Sequence, residues 1–288
     1  MADTRPVVAG VDGSEPGFAA AGWAAEYAAR HRLPLRLVFA VPARLLEPAS
    51  AVGAEAVRAD LRDGCLRALG RAADHAAAAA PPRVETALVP GGAAAALIGE
   101  AEGAALLAVG GRGHGELTGL LLGSVTGQVA VHAPGPVAVV RGADQHPHGE
   151  VVVGVDTAAS AGPALAFAFA EADARKARLR AVHAWTHPAS TGHGEMQPVV
   201  FDPTLVAQEE HLVLAEAVAG WARRYPDVEV VEDVVRARTV RALAGASARA
   251  DLLVVGSRGR GGFPGLVLGS VSTAVLHHAH CPVVIAHG

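Results

Sequence analysis

The run Leu106-Leu107-Ala108-Val109-Gly110-Gly111-Arg112-Gly113 is followed, after nine residues, by Gly123-Ser124-Val125. The chain writes it a second time as Leu252-Leu253-Val254-Val255-Gly256-Ser257-Arg258-Gly259 and, again after nine residues, Gly269-Ser270-Val271. Each copy is a continuous apolar run, a glycine-rich stretch and the start of a helical pattern, with Val125 and Val129, or Val271 and Val275, one turn apart. An uninterrupted apolar run of this length suits a strand covered on both faces. Two such copies in one chain predict a duplicated domain, because the interval between them is far too long for a solenoid repeat.

The duplication extends outward from this stretch. Val7-Val8-Ala9-Gly10-Val11-Asp12 returns as Val151-Val152-Val153-Gly154-Val155-Asp156. Each half continues with an Ala-rich helical stretch and a second apolar run, Leu35 to Val41 or Leu179 to Trp185. A long helix over about 54–80 or 203–224 follows, then Val84 to Val89 or Val228 to Val235, then a shorter helix. The halves close on Pro136-Val137-Ala138-Val139-Val140 and Pro282-Val283-Val284-Ile285-Ala286. Strands alternating with helices predict an α/β fold: two tandem doubly wound domains of Rossmann-like type, each with a five-stranded parallel sheet. The domains are expected over 1–143 and 150–288, joined by a polar linker with Gly and Pro at 144–149.

Composition supports two folded domains. The 288 residues are 51% hydrophobic and 18% charged, enough apolar material for two cores. The net charge of -4 gives no electrostatic reason to expect nucleic acid or an anionic membrane as partner. Cys65 and Cys281 are too few for a disulfide framework or a thiolate zinc site. No apolar run approaches the ~20 residues of a membrane span, and the first strand begins before any basic and apolar leader could be completed. The expected location is the cytoplasm.

The glycine-rich stretch is where chemistry is expected. A phosphate chain is held by backbone N–H groups that approach closely, which side chains hinder, and glycine also tolerates unusual dihedrals. A helix start adds unpaired N–H groups and a favourable dipole, and the hydroxyl of Ser124 or Ser270 can donate one more bond. A lone G-x2-G is more often a turn. The spacing G-x2-G-x9-G-S at matched positions of both halves argues for a phosphate loop.

A strand ending in Asp, then G-x2-G-x9-G-S before the last helix, resembles the ATP-binding branch of the universal stress protein family over nearly the whole chain. The resemblance implies an adenine nucleotide alpha-hydrolase-like variant of the Rossmann fold. It also implies ATP with Mg as ligand, and a sensor or regulator of stress or growth arrest rather than an enzyme. By it, Asp12 and Asp156 face the adenosine with Gly10 and Gly154 beside them, and Val41 and Trp185 lie near the adenine. Gly110, Arg112, Gly113, Gly115, Gly123, Ser124 and Val125 would hold ribose and phosphates in the first half. Gly256, Arg258, Gly259, Gly261, Gly269, Ser270 and Val271 would do so in the second. This chain departs from the family's usual Asp-Gly-Ser-x-x-Ser start: Gly17 stands in the last place, and the second half reads Asp156-Thr157-Ala158. Gly91-Gly92 is likewise matched by Arg236-Ala237 in the second half, so the two sites are expected to differ.

Other features carry less. Arg112 and Arg258 suit phosphate contacts or a solvated surface equally. His277, His278, His280 and Cys281 straddle a helix end, where cations are favourable without a metal. No G-x4-G-K-[ST] exists, and Lys176 is the one lysine, so a Walker-type NTPase is excluded. A slow ATPase or autokinase remains a rival, as does an interaction module whose pockets hold AMP, cyclic AMP or nothing. The expected partners are an adenine nucleotide and a protein that the sequence does not name. The closing strands are apolar on both faces, a poor composition for an exposed edge. They are therefore expected to pair antiparallel, 137–140 with 283–286, as an intrachain pseudo-dimer, leaving any homodimer to use another surface or to exchange these strands.

Overall fold

The computed structural model describes residues 4–47, 54–79, 81, 83–111, 122–141, 147–186, 203–259 and 268–287. They form two compact units, Met1–Gln145 with Cys281–His287, and His146–His280 with Gly288. In the first unit the order is β1 (Val7–Gly10), α1 (Glu15–His31), β2 (Leu35–Val41), α2 (Ala54–Ala77), β3 (Val84–Pro90), α3 (Ala93–Ala101), β4 (Leu106–Gly110), α4 (Ser124–His132) and β5 (Val137–Val140). The second repeats it with β6 (Glu150–Gly154), α5 (Ala158–Arg175), β7 (Arg178–Trp185), α6 (Pro203–Arg224), β8 (Val230–Arg236), α7 (Thr239–Ser247), β9 (Leu252–Gly256) and α8 (Ser270–His278). The last strand, β10 (Val283–Ala286), lies in the first unit. Among the described residues no helix is long and apolar enough to cross a membrane.

The first unit's strands run in the order β3-β2-β1-β4-β5-β10. All neighbours are parallel except β10, which is antiparallel to β5 with Val283 opposite Val139 and Ile285 opposite Val137. The pairing expected of the two closing strands is therefore present. The second unit's strands run β9-β6-β7-β8, all parallel. The expected tandem α/β fold with mostly parallel sheets is the one observed. In the sequence division β10 was counted with the second half, whereas it groups with the first unit.

The continuous apolar runs are buried because helices cover them: Val7 to Ala9, Leu106 to Val109 and Val137 to Val140 are all in the core, as are Val151 to Val153 and Leu252 to Val255. Small residues let α1 and α5 lie close to the sheet. Ala20, Ala21, Ala24, Ala25 and Ala28 are buried on α1, and Ala161, Ala164, Ala168 and Ala172 on α5. Larger rings stack beside them: Trp23 on Tyr27 within α1 at 5.6 Å, and Phe169 of α5 on Tyr225, just after α6, at 5.8 Å. Both helices end on a left-handed residue, Arg32 (φ 56) and Lys176 (φ 53), whose N–H caps the last turn.

Candidate functional site

In the first unit, β1 leads through α1 to β2 on one side, whereas β4 lies on the other side of β1. The chain order therefore reverses between β1 and β4, and in the second unit between β6 and β9. Open parallel sheets form a crevice at such a reversal, at the carboxyl ends of the strands. Gly10 and Gly110 end β1 and β4 there, and Gly154 and Gly256 end β6 and β9. Asp12 and Asp156 follow two residues after their strands.

Two kinds of helix start face this end of each unit. Those of α1 and α5 are closed by their own side chains: Gly17 N–H donates to Ser14 Oγ at 3.2 Å, and Ser160 N–H donates to Thr157 Oγ1 at 3.3 Å. The starts of α4 and α8 are capped by Gly123 and Gly269, which have no side chain to accept such a bond. The first-turn N–H groups of an α-helix have no partner within it, so Ser124, Val125 and Thr126, and Ser270, Val271 and Ser272, present donors with the positive end of the helix dipole behind them. Ser124 and Ser270 are exposed and Val125 and Val271 half-buried. The helices α3 and α7 also lack a side-chain cap, but they start from β3 and β8, two strands from the reversal.

Each loop is stitched shut at its base by two bonds. Gly123 N–H donates to Gly111 O at 3.0 Å, and Gly269 N–H to Ser257 O at 2.7 Å. One step further in, Thr126 Oγ1 donates to Gly110 O at 2.7 Å, and Ser272 Oγ to Gly256 O at 2.6 Å. The sequence reading passed over Thr126 and Ser272. The hint available was that a hydroxyl residue stands third in the helix in both copies.

The glycines turn out to serve different purposes. None of Gly10, Gly110, Gly123, Gly154, Gly256, Gly259 and Gly269 has a positive φ, so none of these is glycine for the sake of its dihedrals. At Gly110 an added Cβ would lie 2.7 Å from the backbone of Pro16, at Gly10 2.7 Å from Leu97, and at Gly154 3.1 Å from Leu243. These three make room for neighbouring helices. Gly269 is different: its nearest neighbour would be Ser257 O at 3.4 Å, an ordinary contact. Neither dihedral nor packing demands glycine there. Gly259 brings the loop against Asp156, whose Oδ2 would lie 2.9 Å from an added Cβ.

Asp12 folds back on its own turn, accepting from both the N–H (3.0 Å) and the hydroxyl of Ser14 through Oδ1. A Cβ at Gly17 would stand 2.7 Å from that oxygen, which accounts for glycine in this place. In the second unit the cap comes one residue sooner after the aspartate. Counted from the caps, Ser160 then occupies the place of Gly17, with its Oγ 2.8 Å from Thr157 Oγ1. The second start is thus shifted by one residue rather than degraded.

Val41 and Trp185 are buried, and their carbonyls accept from Gly91 N–H (2.8 Å) and Ala237 N–H (3.1 Å). Arg236 lies over the Trp185 ring at 5.6 Å. His183, two residues before Trp185, is also buried, with Nδ1 2.8 Å from Val155 O and Nε2 2.8 Å from Glu210. Arg258 is exposed beside Gly259. Arg112, Gly113, Gly115 and Gly261 lie outside the described residues.

A model of the universal stress protein family matches residues 4–141 and again 148–287. Universal stress protein Rv2623 of Mycobacterium tuberculosis is 37% identical over 291 residues, covering 97% of this chain and 95% of the relative. Universal stress protein Rv2005c of the same organism is 38% identical over 288 residues, covering 97% and 96%. A crystal structure of a universal stress protein from Archaeoglobus fulgidus shares the fold, with a TM-score of 0.68 at 20% identity over 98% of this chain and 96% of that one.

Proposed function

The chain belongs to the universal stress protein family, and from that premise we propose that it is a nucleotide-dependent regulator that binds ATP with Mg²⁺ at each of the two strand reversals. The observation that carries this reading is the helix start built twice in one chain. Gly123 and Gly269 cap helices without a side chain, Ser124 and Ser270 follow, and both loops are closed on the end of the preceding strand. Such a start supplies N–H donors and a dipole to an anion without requiring a cationic side chain. Triphosphate oxygens would accept from the first-turn N–H groups and from the serine hydroxyl. Asp12 and Asp156 cannot accept from phosphate, so they would meet sugar hydroxyls or Mg²⁺ between the two.

The role is binding rather than turnover. Asp12 Oδ1 is engaged twice by Ser14, which suits a carboxylate that orients a ligand more than one that moves a proton. A ligand at ~100 times its Kd adds about 2.7 kcal/mol of stability. Occupancy can therefore report the adenylate pool to a protein partner in the cytoplasm. Mass spectrometry of the small molecules released from freshly purified protein tests the reading. ATP in the released fraction supports it. AMP or cyclic AMP alone, or no nucleotide in a protein that also takes up none when soaked, would count against it, and steady release of ADP from added ATP would make the chain an enzyme.

A further inference from the structure

We infer that the hydroxyls of Thr126 and Ser272 are positioning groups of the two nucleotide sites, holding each glycine-capped helix start at a set distance from the end of the preceding strand without themselves touching the ligand. The inference rests on the nucleotide reading above and deepens it. Both side chains are buried, Thr126 at 3% and Ser272 at 4% exposure. Each hydroxyl spans the loop to the last carbonyl of the strand, Gly110 O or Gly256 O.

A hydroxyl in the first turn of a helix ordinarily serves local backbone groups of its own turn. Here that local role is left unfilled, and the bond goes to the strand on the far side of the loop. The N–H groups of the first turn are thereby kept for an outside acceptor. Two different residue types, Thr and Ser, make the same bond at the same helix position in the two units, so the requirement is for the hydroxyl rather than for a shape. The second stitch, from Gly123 N–H to Gly111 O or from Gly269 N–H to Ser257 O, fixes only the cap. Without the hydroxyl bond the helix could pivot about it, and the donors would no longer converge on one phosphate.

The test measures ATP binding by calorimetry at a temperature well below unfolding, alongside the melting temperature of the ligand-free protein. Thr126→Val keeps the volume and loses the hydroxyl, and Ser272→Ala does so with the least steric change. Each is expected to weaken one site by about tenfold or more and to leave the other site as it was. Thr126→Ser and Ser272→Thr keep the hydroxyl and are expected to bind as the natural chain does. Unchanged affinity at both sites in Thr126→Val and Ser272→Ala would overturn the inference while leaving the nucleotide reading intact. Thr126→Ser as weak as Thr126→Val would overturn it too, by making shape the requirement. A fall in affinity tracked fully by loss of folded protein would assign the bonds to stability alone. Absence of ATP binding in the natural chain would remove both readings.

Discussion

A Cβ added to Gly110 would fall 2.7 Å from the carbonyl oxygen of Pro16 in the first turn of α1. Backbone cannot swing away as a side-chain tip can, so β4 and α1 would have to part. Gly110→Ala should therefore destabilise the first unit by about 1–3 kcal/mol, the usual range for overpacking. Gly10→Ala meets only the end of the Leu97 side chain and should cost less. Urea unfolding of the two variants decides it, and equal midpoints would contradict the assignment.

The hydroxyl caps of α1 and α5 make a matched pair of tests. Ser14→Ala removes the acceptor for Gly17 N–H, and Thr157→Ala the acceptor for Ser160 N–H. Each should lower stability by about 0.5–2 kcal/mol. Thermal unfolding in which Thr157→Ala is silent would mean that the shifted second start does not cap its helix.

Glu150 gives a pH dependence. Burial works against its charge, but hydrogen bonds and charge from Arg180 and Arg178 prevail and hold its carboxyl below the usual value of 4.5. A depressed folded-state value contributes stability that is fully present above the unfolded value and lost as pH falls through the folded one. Glu150→Gln should therefore be less stable than the natural chain near neutrality, by about 1.5–3 kcal/mol for lost charge-assisted bonds. The gap should narrow below pH ~4. Denaturant midpoints measured from pH 7 to pH 3 check the sign, and a gap that widens on acidification would contradict it.

Opposition of Val139 and Val283 across the antiparallel pair can be read covalently. Residues directly opposite in an antiparallel pair bring their Cβ atoms within reach of a disulfide. Val139→Cys with Val283→Cys, in a chain carrying Cys65→Ala and Cys281→Ala, should cross-link within one chain under oxidation. Non-reducing electrophoresis would then show a monomer of altered mobility. A cross-linked dimer would mean that these strands pair between chains.

Much of this was legible in the sequence because buried parallel strands must be apolar throughout. Val7 to Gly10, Leu35 to Val41 and Leu252 to Gly256 could be placed almost to the residue, and the pairing of the closing strands followed from their uncharged composition. What was not legible has a common cause: sequence shows that a residue is glycine but not where its missing Cβ would point. Gly10, Gly110 and Gly154, expected beside the ligand, also make room for Leu97, Pro16 and Leu243. The second helix start looked degenerate because the cap moved by one residue, from Ser14 two places after Asp12 to Thr157 one place after Asp156. Thr126 and Ser272 showed only as a hydroxyl at the same helix position in both copies, since a bond across a loop to Gly110 or Gly256 leaves no periodic trace.

Isothermal titration of ATP and Mg²⁺ into protein stripped of small molecules tests the central claim most directly. The natural chain should bind two ATP molecules. Ser124→Ala and Ser270→Ala, which delete a charge-assisted bond worth about 1.5–3 kcal/mol, should each weaken one of the two sites while the circular dichroism spectrum stays that of the natural chain. No binding at millimolar ATP, or full binding at both sites in the doubly substituted chain, would contradict the account.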